Sequence, residues 1–122
     1  MFGQILSFDE LKQESFIIEN ILWDVEPRDL MEPRHKVTEA GTQIRGQIKG
    51  YVFYIDTMEE PPRLFLMRHT AMDFGETAAK IEEMPQELLI EAVEENKDKS
   101  YFKMYPINSR IKEWLKKEFN LP

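Results

Sequence analysis

The chain has no cysteine, and this absence removes several kinds of chemistry at once. Without a thiol there is no disulfide, no thiolate metal site, no iron–sulfur cluster and no cysteine nucleophile. Proteins that lack disulfides are typical of reducing compartments, so the composition predicts a cytoplasmic protein. Any function must therefore rest on carboxylate, imidazole, guanidinium, amide or aromatic groups.

Long apolar runs are also missing. A membrane-spanning helix needs about 18 to 20 consecutive apolar residues, and Glu19, Arg63 and Arg68 interrupt the best candidates. The N-terminal sequence, MFGQILSFDELK, has no basic region ahead of an apolar stretch and does not resemble a signal peptide. We therefore expect a soluble protein with no membrane partner.

The sequence contains none of the common catalytic motifs. It has no glycine-rich phosphate loop, no His-Glu-x-x-His helix, no nucleophile elbow and no dinucleotide fingerprint. We accordingly predict no cofactor and no metal ion, and these absences favour a non-catalytic protein.

Apolar residues make up 42% of the 122 residues, which is enough for one hydrophobic core and predicts a single domain over residues 1–122. The net charge of −7 is unevenly distributed. Residues 1–33 hold 2 basic and 8 acidic side chains, whereas residues 34–68 hold 6 and 4. An acidic chain repels nucleic acid, so no nucleic-acid partner is expected, although the mildly basic middle could bind a small anion.

The N-terminal region contains a strong helix-start signal. Ser7 and Glu10 have the spacing of a capping box, which predicts a helix beginning at Phe8. Residues 16–25 fit two interpretations, because their apolar residues suit either a helical stripe or a buried strand. Ile18, Ile21, Leu22 and Val25 would continue a helical stripe, and we favour a helix to about Asp24.

The sequence Glu-Pro-Arg occurs twice in residues 26–34. Each proline restricts the residue before it and cannot donate a backbone hydrogen bond, so the pattern predicts an irregular connection. A solvated linker is one interpretation; a docking loop that uses Arg28 and Arg34 is the functional alternative.

The middle of the chain, from about His35 to Thr70, has the pattern of β-strands. Residues 51–55 and 64–67 predict an antiparallel hairpin closed across Thr57 to Pro62. Both strands are apolar on both faces, so the sheet needs cover on two sides. Helices can cover one side, and the N-terminal segment or a second subunit can cover the other, which is why we expect a homo-oligomer, most simply a dimer.

The last third predicts helices. Pro85 suits a first helical position, and an apolar stripe follows it; Asn108 suits the cap of a final helix. Residues 76–83 fit a helix or a strand. The predicted fold is α+β, with an N-terminal helix, a central antiparallel sheet of about three to four strands, and two C-terminal helices packed on it.

A polar cluster at the end of the hairpin is the best candidate for chemistry. His69 and Glu76 are candidate proton-transfer groups, because imidazole titrates near neutrality, and Arg68 is a candidate anion ligand. As ligands of a divalent metal, His69, Asp73 and Glu76 would share one face only on a continuous helix, which Gly75 disfavours. An ordinary polar loop at a strand end is the alternative.

Four cations lie on or beside predicted strands, and some could converge on a phosphate or carboxylate: Arg45, Lys49, Arg63 and Arg68. With His69, the three arginines form the predicted ligand-binding set. The alternative is that each pairs with one of the abundant glutamates and contributes little.

The sequence YFKMY at residues 101–105 places three aromatic residues between two predicted helices. It predicts an edge strand or part of an interface. Taken together, these patterns favour a ligand-binding or protein-interaction module that self-associates. A small enzyme acting on an anionic metabolite through Arg68, His69 and Glu76, and an adaptor whose acidic helices bind a basic partner, are the alternatives.

Overall fold

A four-stranded antiparallel sheet organises the fold. The computed structural model describes residues 4–31, 50–69 and 75–122. The strands are β1 (Gly50–Asp56), β2 (Arg63–His69), β3 (Glu76–Ile81) and β4 (Met104–Tyr105), in the spatial order β3-β2-β1-β4. With helices at the N-terminus and C-terminus packed on this sheet, the predicted α+β class is confirmed.

The predicted central hairpin is confirmed. Its register runs without interruption from Gly50 opposite His69 to Asp56 opposite Arg63. The ambiguous residues after Gly75 form strand β3, which pairs with β2 and contains a bulge at Ala78. A strand forms here because its alternate residues Ala79 and Ile81 are buried against the core.

In the part of the chain that the structure describes, five α-helices accompany the sheet: α1 (Phe8–Leu11), α2 (Ser15–Glu19), α3 (Pro27–Met31), α4 (Gln86–Glu95) and α5 (Ser109–Glu118). The side chain of Asn108 accepts a hydrogen bond from the Ile111 amide, so the predicted cap of α5 is confirmed. Pro85 differs from the prediction, because it lies just before α4 with extended backbone angles rather than at its first helical position.

The N-terminal helix begins as predicted but is much shorter. Both hydrogen bonds of the Ser7–Glu10 capping box are present, yet α1 ends at Leu11, and the prediction of a helix to about Asp24 is wrong. Two hydrogen bonds with the backbone of Tyr51, one from the Leu22 amide and one to the Asn20 carbonyl, instead place Ile21 beside β1 as a parallel bridge. Tertiary pairing thus replaces helical hydrogen bonding over the second half of this segment.

The connection predicted to be irregular contains the short helix α3, which begins at Pro27. Proline fits there because a first helical position needs no amide donor, and Asp29 accepts a hydrogen bond from the Glu26 amide. The second arginine of the predicted docking loop, Arg34, lies outside the described residues.

Both faces of the hairpin are buried, as their apolar pattern predicts. One face carries Phe53, Ile55, Leu64 and Leu66, and it packs against α1, α4 and α5. On the other face Val52 and Met67 pack with Leu22, Val25 and Met104. The N-terminal segment therefore supplies cover on the second face, one of the two alternatives that the sequence left open.

Within the described parts of the chain, no helix has the length and apolar character that crossing a membrane requires.

Candidate functional site

Two surface depressions lie at opposite ends of the β1–β2 hairpin. The first, the Arg68 cavity, has a volume of about 320 Å³ and lies between the N-terminal segment and the ends of β2 and β3. Its polar lining includes Arg68, Glu76, Glu14, Gln4 and Tyr51. This is the end of the hairpin at which the sequence places its polar cluster.

Arg68 and Glu76 face each other across β2 and β3. They are direct partners in the strand register, and Arg68 Nη1 lies 3.6 Å from Glu76 Oε2. Glu14 adds a second carboxylate to the same cavity. The charge of the guanidinium is thus offset by described carboxylates, which weakens the cavity as a site for an anion.

His69 does not line this cavity. Successive residues of a strand point to opposite faces, so His69 lies on the face of Met67 while Arg68 lies on the face of Leu66. The histidine is only 4% exposed and is engaged in contacts of its own. The structure therefore joins Arg68 with Glu76 but separates both from the imidazole.

Arg63 lies at the other end of β2, about 17 Å from Arg68 at the usual rise per residue. Its guanidinium contacts Asp56 at 3.4 Å and Glu59 at 3.5 Å, and it lies over the ring of Phe65. Arg63 and Arg68 therefore do not converge on one ligand. The remaining predicted anion ligands, Arg45 and Lys49, lie outside the described residues.

Among residues 4–31, 50–69 and 75–122, no three histidine, aspartate or glutamate side chains cluster closely enough to hold a metal ion. Asp73, the middle member of the set considered from the sequence, lies outside those ranges.

The second depression, the loop–helix groove, has a volume of about 650 Å³ and a mainly apolar lining. It lies between the β1–β2 loop and α4. Its wall is formed by Thr57, Glu60, Pro61, Pro62, Ile90 and Val93. Ile90 remains 56% exposed although its neighbours Leu89 and Ala92 are buried, because it lies on the groove side of α4.

The loop that forms one wall is held in place at several points. The Thr57 amide and hydroxyl both donate to the Lys103 carbonyl at 2.9 Å. At the other end of the loop, the side-chain amide of Gln86 donates to the Pro62 carbonyl at 3.0 Å. The Met58 amide donates to Asp56. The groove is therefore formed before any partner arrives.

A tight hairpin turn adjoins the groove. Tyr101 and Met104 exchange two backbone hydrogen bonds of 2.8 and 2.9 Å, which leaves Phe102 and Lys103 at the tip. We call residues 101–104 the aromatic turn. Both tip residues have positive φ, 48° and 66°, a combination typical of a type I′ turn and normally supplied by Asn-Gly. A phenylalanine in this conformation is unusual, because its Cβ crowds the following carbonyl.

Exposed apolar side chains concentrate at this end. Phe102 is 77% exposed and Met58 is 69% exposed, so with Ile90 they make up three of the five large apolar side chains that are exposed in the described residues. The other two, Ile5 and Phe16, belong to the N-terminal segment. The prediction that residues 101–105 form an edge strand is confirmed for β4, which pairs with the end of β1. Ile90 was not predicted as a site residue, because its only signal in the sequence is an isoleucine next to the buried stripe of α4.

Comparison with known proteins gives no relative: no protein-family model, no curated protein and no solved structure matches this chain.

Proposed function

We propose that this protein is a non-catalytic protein-interaction module that binds a partner polypeptide through the loop–helix groove and the adjoining aromatic turn. The observation that carries the proposal is Phe102, an exposed aromatic residue held at positive φ in a turn that is bonded to the groove wall through Thr57 and the Lys103 carbonyl. Backbone strain of this kind concentrates at functional sites, where the surrounding structure maintains it.

The groove has the properties of a good docking surface. Aromatic residues dominate binding energy at protein interfaces, and a preformed loop loses little conformational entropy on binding. Hydrogen bonds from Thr57 and Gln86 fix the loop, so Pro61 and Ile90 present a defined apolar surface. A cytoplasmic location, expected from the lack of cysteine, stays a prediction.

Peptide selection tests the proposal because it requires no identified partner. Short peptides displayed on phage are selected on the immobilised protein, and their affinities are measured for Ile90→Asp and Phe102→Ser. We expect both variants to lose most of the binding. Phe16→Ser is the matched control, because Phe16 is 68% exposed and belongs to the N-terminal segment. Peptides that depend on Phe16 rather than on Ile90 would overturn the proposal.

Self-association, expected from the sequence, is a second way of using the same surface. Light scattering coupled to size exclusion at high micromolar concentration measures it directly. A dimer that Ile90→Asp dissociates would place a second copy in the groove. A strictly monomeric protein would leave a different polypeptide as the partner.

Binding of an anionic ligand, with proton transfer by a nearby group, is the second candidate function. One observation favours it, the presence of Arg68 and Glu76 in one cavity, although the anion must displace Glu76 from the guanidinium. A thermal-shift screen with phosphates, nucleotides and carboxylates tests it, since a ligand at 100 times its dissociation constant stabilises by about 2.7 kcal/mol. The shift should disappear in Arg68→Gln and persist in Arg110→Gln, a paired arginine on α5.

A further inference from the structure

We propose that the polypeptide that occupies the loop–helix groove is a basic segment with one large apolar residue. The inference rests on the function proposed above and concerns the chemistry of the partner. The apolar wall of Pro61, Ile90 and Val93 receives the apolar residue, while lysine and arginine side chains of the partner meet the carboxylates around the groove.

The rim of the groove is acidic. Glu60 lines it and Glu59 is the neighbouring loop residue. On α4, Glu87 and Glu94 lie three and four positions from Ile90, which places them beside it on the helix surface. Glu60 lines the groove and the other three carboxylates flank it, with Glu87 and Glu94 on the side of Ile90 that faces away from Val93. We call these four the rim carboxylates, two from the loop and two from the helix.

Two of the three cations near the groove are engaged in ion pairs. Lys97 Nζ lies 2.7 Å from Glu94 Oε1, and this hydrogen bond raises the pKa of the lysine above its ordinary value. Arg63 contacts Asp56 and Glu59. Lys103, at the tip of the aromatic turn, is a third cation beside the groove. These three cations face the four rim carboxylates and Asp56, so the groove keeps an excess of negative charge that a basic segment can complement.

Charge argues against a second copy as the occupant. Two protomers docked groove to groove would bring eight rim carboxylates together, and each protomer carries a net charge of −7. Like charges facing each other across an interface disfavour the complex. A basic segment is attracted by the negative potential of the rim carboxylates. The apolar stems of its lysine or arginine residues can lie along Pro61 and Ile90.

The groove also limits the size of the occupant. Its volume of about 650 Å³ falls within the range of sites that enclose a small ligand or a few side chains. A short extended or helical segment with one apolar residue fits this space, as in other grooves that bind peptide segments.

Three synthetic peptides of about 12 residues test the inference, with binding measured by fluorescence anisotropy and by NMR of the Ile90 methyl groups. All carry the same central leucine and differ only in having lysine, glutamine or glutamate at the flanking positions. We expect the lysine peptide to bind about tenfold more tightly than the glutamine peptide, and the glutamate peptide to bind most weakly. The preference should shrink as salt screens the rim charges.

Charge-reversal variants test whether the preference for the lysine peptide arises from the rim carboxylates. Glu59→Lys with Glu87→Lys should abolish the preference for the lysine peptide, and Glu59→Gln with Glu87→Gln should reduce it. Glu19→Lys with Glu113→Lys makes the same change in net charge at two positions outside the groove and should leave the preference intact. Circular dichroism confirms that each variant is folded.

The outcomes separate the two proposals. Equal affinity for the lysine and glutamine peptides, with the Ile90 signals perturbed by both, would overturn the basic segment and leave the docking function standing. An equal loss of preference in the control variant would show general attraction to an acidic protein and would also overturn the inference. If no peptide perturbs the Ile90 signals, both proposals fail.

Discussion

The backbone adopts positive φ angles near both ends of the central hairpin, but different types of residue adopt them at the two ends. At the cavity end, the chain reaches positive φ at Gly50 and Gly75, where glycine is the residue expected. At the groove end, it reaches positive φ at Phe102 and Lys103, where glycine or asparagine is expected. Glycine adopts positive φ without steric strain, whereas phenylalanine and lysine do not. This difference is why we propose that the functional site lies at the groove end.

The two ends also differ in the pairing and exposure of their side chains. The arginine at the cavity end faces a glutamate on the neighbouring strand, and the apolar residues Leu6 and Ile17 there are partly buried against the core. At the groove end Met58, Ile90 and Phe102 remain exposed. The N-terminal segment also exposes Ile5 and Phe16, but they flank a cavity with charged lining residues. Exposed apolar residues beside an apolar groove favour a binding site, whereas a charge pair across two strands is common structure.

The largest effect should come from changing a glycine at the cavity end. Gly50 has a φ of 146°, and a Cβ there would lie 2.8 Å from the Asn20 carbonyl oxygen. Gly50→Ala should therefore lower the free energy of unfolding by about 1 to 3 kcal/mol, measured by urea denaturation. Ser100→Ala at an exposed position is the control and should change stability by less than about 0.5 kcal/mol. An alanine variant as stable as the parent would remove the contrast between the ends.

The reverse result is expected at the aromatic turn. Phe102→Asn with Lys103→Gly supplies the residues that the turn prefers, so it should raise the free energy of unfolding by about 1 to 2 kcal/mol. The same variant should lose peptide binding, because the exposed ring is gone. Phe102→Ala is the control, since it removes the ring but keeps a side chain at positive φ. No gain in stability would mean that the turn is not strained.

Replacing one arginine at each end with glutamine should change the free energy of unfolding by a smaller amount. Arg63 contacts two carboxylates and the ring of Phe65, while among the described residues Arg68 has one ion pair, of 3.6 Å, on a more open surface. Arg63→Gln should cost about 1 kcal/mol in the free energy of unfolding and Arg68→Gln less than about 0.5 kcal/mol, both measured by chemical denaturation. Equal losses in the free energy of unfolding would show that the two arginines contribute equally to stability.

Between the two ends, Tyr54 should give a shallow dependence on pH. Burial raises the pKa of its phenol above the ordinary value of 10.0, and a hydrogen bond from Thr77 only partly opposes this. Above about pH 10 the unfolded chain loses this proton before the folded chain does, so stability should fall as pH rises through the folded pKa. Tyr54→Phe should flatten the fall in melting temperature, and Tyr105→Phe is the control for loss of one phenol. An unchanged slope would contradict burial as the cause.

Much of the fold followed from local sequence signals. The capping box at Ser7, the apolar strands of the hairpin and the cap at Asn108 are each encoded within a few residues, and all are present in the structure. The path of residues 12–25 was not predictable in the same way. It depends on the pairing of Ile21 with Tyr51, two residues that are far apart in sequence.

The candidate sites also depend on contacts between residues that are distant in sequence, which limited their prediction. Pairing of Arg68 with Glu76 follows from the register of β2 and β3, which the sequence alone did not give. Strand alternation, by contrast, already implies that Arg68 and His69 point to opposite faces once a strand is assumed. The positive φ at Phe102 had no sequence signal, because the turn contains neither glycine nor asparagine.

The bridge between Leu6 and Ala79 has a consequence for the order of folding. The Leu6 amide donates to the Ala78 carbonyl and the Lys80 amide donates to the Leu6 carbonyl, so the N-terminal segment binds to a strand that follows it by more than seventy residues. During synthesis this segment leaves the ribosome before β3, yet it cannot adopt its final position until β3 has emerged and paired with β2. A segment that is made before β3 therefore docks only after it, and closing so long a loop slows folding relative to a protein with only local contacts.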